Sequence, residues 1–250
     1  VEGVGGEGEG GYFSMRYMGS KRLLAKHILP IMLKDRLPSQ TYVEPFVGGA
    51  NILDKVTGSR LACDVSKETI LALQYIQDIK NQSDFPTNRN NFGEGDYKQA
   101  KIEAKTNKTL RNSYIGYALS YAGQYYTCFV KDKINKRDYV NEAYRNALKQ
   151  SKLIQDVSLV CCDYSELAIP DNSIVYCDIP YKGTAKYKTP DFDYEKFYSW
   201  CLENKHKYII YISEYAMPKE FLLLWSKEVN SSLTADTGGK KAVEKLFTPY

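Results

Sequence analysis

Histidine is scarce in this sequence. Of its 250 residues only His27 and His206 carry an imidazole. Neither stands at a ligand spacing from other metal-binding residue types, so no metal site is expected. The six cysteines (Cys63, Cys128, Cys161, Cys162, Cys177 and Cys201) form no C-x-x-C pair. Several lie in apolar, strand-like runs, where a free thiol packs as a small hydrophobe. Reduced thiols and a cytoplasmic setting are therefore expected. No apolar run reaches 18 residues, which excludes a recognisable membrane helix. The first residues lack a basic region followed by an apolar stretch, so no secretory signal is expected. The glycine turn of segment 41–51 does not read G-x-G-x-x-G, and no Walker-type Lys-Ser/Thr is present. A strand-to-glycine turn without that fingerprint argues against a dinucleotide-dependent dehydrogenase, and the missing Walker pair against a triphosphate-binding loop.

What is present suits a packed α/β protein. The chain is 43% hydrophobic and 26% charged, with a formal net charge of +4. That length accommodates one large domain, or a core domain with an insertion. Residues 1–14 are rich in Gly and Glu without apolar periodicity and read as a flexible leader or tag remnant. Segment 20–37 has helical spacing, with Pro30 expected to kink or split it. Segment 41–51, TYVEPFVGGAN, reads as a strand running into a glycine turn. RLACDVS (60–66), VSLVCCDY (157–164) and SIVYCDIPY (173–181) read as strands that end in acids. Residues 67–81 and 193–206 read as helices, and 207–215 as a strand. Residues 218–229 read as a helix, followed by strand-like VNSSLTA and EKLFTPY. Strands alternating with helices imply a mostly parallel sheet with helices on both faces. Ligands bind such sheets outside the carboxyl ends of the strands. Asp64, Asp163 and Asp178 lie at such ends, and Glu44 just precedes the first turn. Each alone could be a helix cap or turn residue.

Residues 82–152 interrupt the alternation. Between 97 and 152 there are 12 Lys/Arg against 4 Asp/Glu. Lys98, Lys101, Lys105 and Lys108 fall at the spacing of one helical face. Tyr114, Tyr117, Tyr121 and Tyr125 also follow helical spacing. Basic charge attracts phosphates, and aromatic rings stack bases. For the tyrosines a core stripe is the preferred reading. For the charge excess, a surface for a polyanion is preferred.

The turn after the first strand, EPFVGGAN, lets the backbone approach a ligand without the pyrophosphate fingerprint. An acid at the end of the next strand, Asp64, suits the hydroxyls of a ribose.

Taken in order, RYMGSK (16–21), VEPFVGGAN (43–51), CDVS (63–66), CCDY (161–164) and DIPY (178–181) resemble the motifs of the Dam-like, D12-class N6-adenine DNA methyltransferases. The resemblance covers most of Met15–Tyr250. It implies a Rossmann-like, S-adenosylmethionine-dependent methyltransferase fold. Residues 15–82 and 153–250 would form the catalytic domain, and 83–152 a helical, basic target-recognition insertion. Cofactor contacts are implied for Tyr17, Lys21, Glu44, Phe46, Gly48, Asn51, Asp64, Asp163, Tyr164 and Asp178. Catalytic roles are implied for Asp178, Ile179, Pro180 and Tyr181. DNA contacts are expected from Arg16, Lys98, Lys101, Lys105, Lys108, Arg111, Lys131, Lys133, Lys136 and Arg137. The expected partner is double-stranded DNA, acted on by a monomer (a dimer stays open) in the cytoplasm of a bacterial or phage-infected cell. No metal or membrane is required.

Two departures from the family pattern stand out. Ala50 occupies a position usually held by glycine, which a methyl group tolerates if φ is negative. Ile179 replaces the first proline of the catalytic motif. The carbonyl of residue 179 survives that change, while the φ-fixing ring is lost. Pro180 still biases residue 179 toward extended geometry. Two alternatives stay open on sequence grounds: a methyltransferase fold that binds DNA without catalysis, and amino methylation of cytosine or RNA.

Overall fold

Residues 174–178, Ile-Val-Tyr-Cys-Asp, are apolar until their last member. A run without alternation suits a parallel strand covered on both faces. The computed structural model describes residues 14–132, 134, 136–182, 192–230 and 241–250. In it these five residues form a strand in which only the terminal Asp178 is not fully buried.

The elements in chain order are α1 (Ala25–Met32), β1 (Tyr42–Glu44), β2 (Arg60–Asp64), α2 (Lys67–Gln77), α3 (Glu94–Glu103), α4 (Leu110–Ala118), α5 (Tyr139–Leu153), β3 (Ser158–Cys161), β4 (Ile174–Asp178), α6 (Tyr194–Asn204), β5 (Ile209–Ser213), β6 (Phe221–Asn230) and β7 (Lys241–Pro249). They fall into two compact units. One comprises the chain through Ser20, Gly48–Lys55 and Lys67–Gln155; the other comprises Lys21–Val47, Val56–Ser66 and Asp156–Tyr250. The expected insertion, 83–152, lies wholly within the first, which also takes in α2 and the glycine turn.

The second unit holds the sheet, in the order β3-β2-β1-β4-β5-β7-β6. Strands β1 to β5 run parallel, and β7 pairs antiparallel with both β5 and β6. This is a Rossmann-like sheet with an antiparallel hairpin at one edge. Strand order reverses between β1 and β4, which makes that junction the topological switch point. Along β4, Val175, Cys177 and then Ile179 project to one side, where they join Val43, Ile210 and Ile212 in a core with Phe197, Tyr198 and Cys201 of α6. Helix α6 starts where the Asp193 side chain accepts from the Lys196 N–H. In α1, Pro30 lies inside the helix, which stops two residues later.

The helix expected over 218–229 is corrected. These residues contribute β6, paired with β7 from Phe221↔Pro249 to Asn230↔Lys241, with a register irregularity between Leu223 and Trp225. Three consecutive leucines satisfy a helical stripe and an edge strand alike. The pairing with β7 decides the outcome, as tertiary context commonly does for strand formation. Leu222, Leu223 and Leu224 are each partly exposed. Most of the strand-like segment VNSSLTA lies outside the described residues.

The first unit is helical. Its aromatic core includes Tyr75 stacked on Phe85 at 4.7 Å, with Tyr114 against both. A Thr109–Asn112 capping box opens α4, and Asp138 caps α5. Two expectations are corrected here. The tyrosine stripe ends at Tyr117: α4 stops at Ala118, and Ala122 is left-handed (φ 55°) in the following short turn. Tyr114 and Tyr117 are buried as a core stripe should be, but Tyr121 is 67% exposed. Nor do the four lysines share one helix face. Helix α3 closes at Glu103, whose carbonyl accepts from the Thr106 and Asn107 N–H groups, so Lys105 and Lys108 lie beyond it.

Candidate active site

Parallel strands deliver their last residues to one rim. Across the sheet, Asp163 follows β3 by two residues, Asp64 ends β2, Glu44 ends β1, Asp178 ends β4 and Glu214 directly follows β5. Five neighbouring strands thus each carry an acid at the same edge. The bland roles of two of these acids are also met. Asp64 accepts from the Ser66 N–H at 2.9 Å and Asp163 from the Ser165 N–H at 3.0 Å, each an Asx turn. Glu44 is buried and accepts from the Tyr42 hydroxyl at 2.9 Å.

At the β2–β3 end, the Cys63 and Cys162 thiols lie 3.0 Å apart. Phe46 and Tyr164 face each other at 5.3 Å, and both pack on Phe197 of α6. The Tyr164 hydroxyl is buried with no hydrogen-bond partner among the described residues.

At the β4–β5 end, Lys21 is central. Its Nζ lies 3.9 Å from Asp178 and 3.4 Å from Glu244, and 4.0 Å from the centre of the Tyr181 ring. Burial works against the charged ammonium, but Asp178 and Glu244 outweigh it and hold its pKa above the ordinary value. For Asp178, removal from water pushes the pKa up to about 6 against the opposing pull of Lys21, with Glu244 and Glu214 adding to the rise. The Tyr181 hydroxyl donates to Glu244 Oε2 at 2.6 Å, and the Tyr215 ring meets the Tyr181 ring edge-on at 4.4 Å. Glu214 is buried and accepts from the N–H groups of Lys182 and Tyr215. Ile179 is 2% exposed in the core beneath α6, and the Tyr194 hydroxyl donates to the Pro180 carbonyl at 2.9 Å. Core packing holds the Ile179 side chain, and the Tyr194 hydroxyl anchors the carbonyl of the next residue.

In the first unit, Tyr17 packs on the glycine turn. A Cβ at Gly48 would lie 2.8 Å from the Tyr17 ring, and one at Gly49 2.7 Å from its Cβ. The Gly49 carbonyl accepts from Gln150 Nε2 at 2.9 Å. Asn51 is buried in the same turn. Ala50 does not meet the condition set for it: its φ is +56°, not negative. Left-handed geometry costs a non-glycine residue about 1–2 kcal/mol. Ala50→Gly relieves that cost but loses a buried methyl worth about 0.8 kcal/mol and adds roughly 0.4–1 kcal/mol of unfolded-chain entropy. The expected net change in a thermal or urea melt is therefore within about 1 kcal/mol of zero.

Six of the ten cations expected to face DNA have an acidic neighbour. Arg16 and Arg137 pair with Glu142, Lys98 and Lys131 with Glu94, Lys108 with Glu68, and Arg111 with Asp84. Three of those acids lie outside the counted segment 97–152. Lys101 donates to the Thr127 carbonyl. Lys105 and Lys136 are exposed. Lys133 lies outside the described residues.

Glu244 was not legible as a site residue. On β7 it lies buried on the side of Leu246, while Val243 is 38% exposed.

The fold and rim define an α/β protein of the Rossmann-like class with an acid-lined site at its switch point. The chain belongs to the D12 class N6 adenine-specific DNA methyltransferase family, whose family model matches residues 17–209. It is also similar to the crystal structure of SMU.472, assigned as a methyltransferase and complexed with SAH, at 15% identity and a TM-score of 0.38. That alignment covers 96% of this chain and 55% of the other, so this chain spans about half of its length. No curated protein matches the sequence. Among the described residues no group of three or more His, Cys, Asp or Glu could hold a metal ion. None of their helices is long and apolar enough to cross a membrane.

Proposed function

We propose that this chain transfers the methyl group of S-adenosylmethionine to the exocyclic N6 amine of an adenine flipped out of double-stranded DNA. The observation that carries the reading is Asp178-Ile179-Pro180-Tyr181 at the carboxyl end of β4, at the switch point of a sheet in a chain of this family.

The residues present suit the cofactor. Asp64 at the end of β2 suits ribose hydroxyls, and the Phe46–Tyr164 pair suits a flat base beside Asp163. The Tyr164 hydroxyl, buried with no partner among the described residues, gives a polar ligand something to bond. Glu44 and Lys21 complete the set on this unit. The cofactor roles of Tyr17, Gly48 and Asn51 rest on their motifs alone. When bound, S-adenosylmethionine supplies an electrophilic sulfonium methyl.

The adenine amine is a poor nucleophile because its lone pair is delocalised into the ring. Asp178 accepts one amine hydrogen and the Ile179 carbonyl the other, which localises the lone pair on nitrogen. Rigid placement matters here, because acceptors pre-positioned for the transition state lose nothing to reorganisation. With a pKa of about 6, Asp178 is also able to take up the proton that leaves the amine. Tyr181 stacks on the flipped base. Its ring is 8% exposed, so base entry requires Lys21 or Tyr215 to move aside. Segment 83–152 serves as the target-recognition part.

The test is transfer of label from S-adenosylmethionine to unmethylated duplex DNA, followed by digestion to nucleosides. Labelled N6-methyldeoxyadenosine supports the reading. Label in cytosine or only in RNA overturns the substrate, and bound cofactor without product overturns catalysis. The DNA-facing role has its own check. Converting Lys105 and Lys136 together to Gln should weaken duplex binding and flatten the slope of log K against log salt by about 0.9 for each phosphate that the protein no longer neutralises. An unchanged slope, read by fluorescence anisotropy at several salt concentrations, removes both from the interface.

A further inference from the structure

The family match ends at residue 209, yet a residue well beyond it closes the network around Asp178. Glu244, carried inward on β7, presents both carboxylate oxygens to motif residues. Oε2 takes the Tyr181 hydroxyl at 2.6 Å, and Oε1 lies 3.4 Å from the Lys21 ammonium. Lys21 in turn sits between Glu244, Asp178 and the Tyr181 ring face. Both partners are mostly withdrawn from water: the side chains of Lys21 and Glu244 are each 11% exposed. A carboxylate held this way fixes a ring and a cation at once.

We propose that Glu244 is a positioning residue of the methyl-transfer site: it orients the Tyr181 ring through the hydroxyl and divides the Lys21 cation between itself and Asp178. The inference rests on the functional reading above and adds a residue to it.

Two effects follow from dividing the cation. First, Lys21 bonded wholly to Asp178 would tie up the carboxylate that must accept an amine hydrogen. Glu244 draws part of that charge away and leaves Asp178 the better acceptor. Second, the negative charge of Glu244 disfavours ionisation of Asp178. Among the described residues, the other groups facing Asp178 are Glu214 after β5, Tyr215, Tyr181, and Tyr176 and Cys177 of its own strand. Of these, Glu214 is a second acid, and its position does not depend on Glu244: it is held by the N–H groups of Lys182 and Tyr215.

The test uses Glu244→Gln, which keeps the shape and an acceptor oxygen for Tyr181 but removes the charge. The Asp178 carboxyl is followed by carbon-13 NMR in Asp-labelled full-length protein without substrates, its signal assigned with Asp178→Asn. The Asp178 midpoint is expected to fall by about half to one pH unit in Glu244→Gln. Tyr181→Phe, which leaves both charges in place, should leave it within about 0.2 pH unit. In methyl-transfer assays, Glu244→Gln should lower kcat by about tenfold with the cofactor KM unchanged, and shift the acid limb of the kcat profile in the same direction as the midpoint. An unmoved or raised midpoint in a folded variant overturns the proposal, as does a loss confined to cofactor KM. Failure of the wild-type protein to methylate DNA, with the midpoint shifting as stated, overturns the methyltransferase reading instead.

Discussion

Asp178→Asn should lower methyl transfer by about 10²- to 10³-fold, the usual loss when one pre-positioned group that stabilises a transition state is removed. Asparagine keeps the size and an oxygen, but its amide is neutral and accepts the amine hydrogen more weakly. Cofactor binding, measured by calorimetry, should change little if Asp178 acts mainly on the target amine. The same substitution should raise stability, with a pH dependence whose sign is fixed. The carboxyl has a pKa of about 6 in the folded chain, against roughly 3.9 when unfolded. The folded state therefore holds this proton more tightly, and Asp178 costs stability progressively as pH rises from about 4 through 6. The gap corresponds to at most about 3 kcal/mol. The side chain is 26% exposed, and asparagine leaves Lys21 with one anionic partner fewer, so a smaller gain is expected. About 1–2 kcal/mol, or roughly 2–8 °C in Tm at pH 8, is the expected result. Below pH 4 the two proteins should melt together. Equal melting at pH 8 would show that the carboxylate is better compensated than its neighbours imply, and near-normal turnover would remove Asp178 from the chemistry.

The legible parts of the molecule share a physical cause. A buried parallel strand is written as a continuous apolar run, and an acid as its last residue marks the rim. RLACD and IVYCD could therefore be placed with their acids before any contact was known, and the structure ends β2 at Asp64 and β4 at Asp178. Other features depend on pairing across the chain. FLLLW suits a helix stripe until β7 supplies a strand to bond with. Glu244 points inward only because β7 is in register with β6 and joins β5 through Leu246 and Phe247, and no window around it shows which parity is buried. The lysines and arginines of 98–137 look unopposed in a linear count. The acids that oppose Lys108 and Arg111, Glu68 and Asp84, are remote in sequence. The Ala50 backbone was open to a conditional reading, and its left-handed φ reverses the condition. For β6, Glu244, Lys108 and Arg111 the missing information was non-local.

Phe197→Ala should be the most damaging single change away from the acids. Phe197 is fully buried, and its ring lies within 6.2 Å of Phe46, Tyr164, Phe192, Tyr198 and Trp200. Deleting a buried phenyl ring in such a cluster costs about 3–5 kcal/mol, because the transfer free energy is lost and a cavity remains. Against a typical total of about 5–15 kcal/mol, that is a large share of the fold's stability. Urea titration at neutral pH should show the midpoint fall with the m-value unchanged. The substitution also tests how the core serves the rim. Phe46 and Tyr164, proposed to flank the cofactor, rest on Phe197 from the β1 and β3 sides of the sheet, whereas Asp178, Lys21 and Tyr181 are held by polar contacts at β4 and β7. At a temperature where the variant remains folded, S-adenosylmethionine affinity should therefore fall more than turnover at saturating cofactor. An equal loss in both would mean that the α6 core positions the acceptor end as well, through Ile179, which packs in the same cluster.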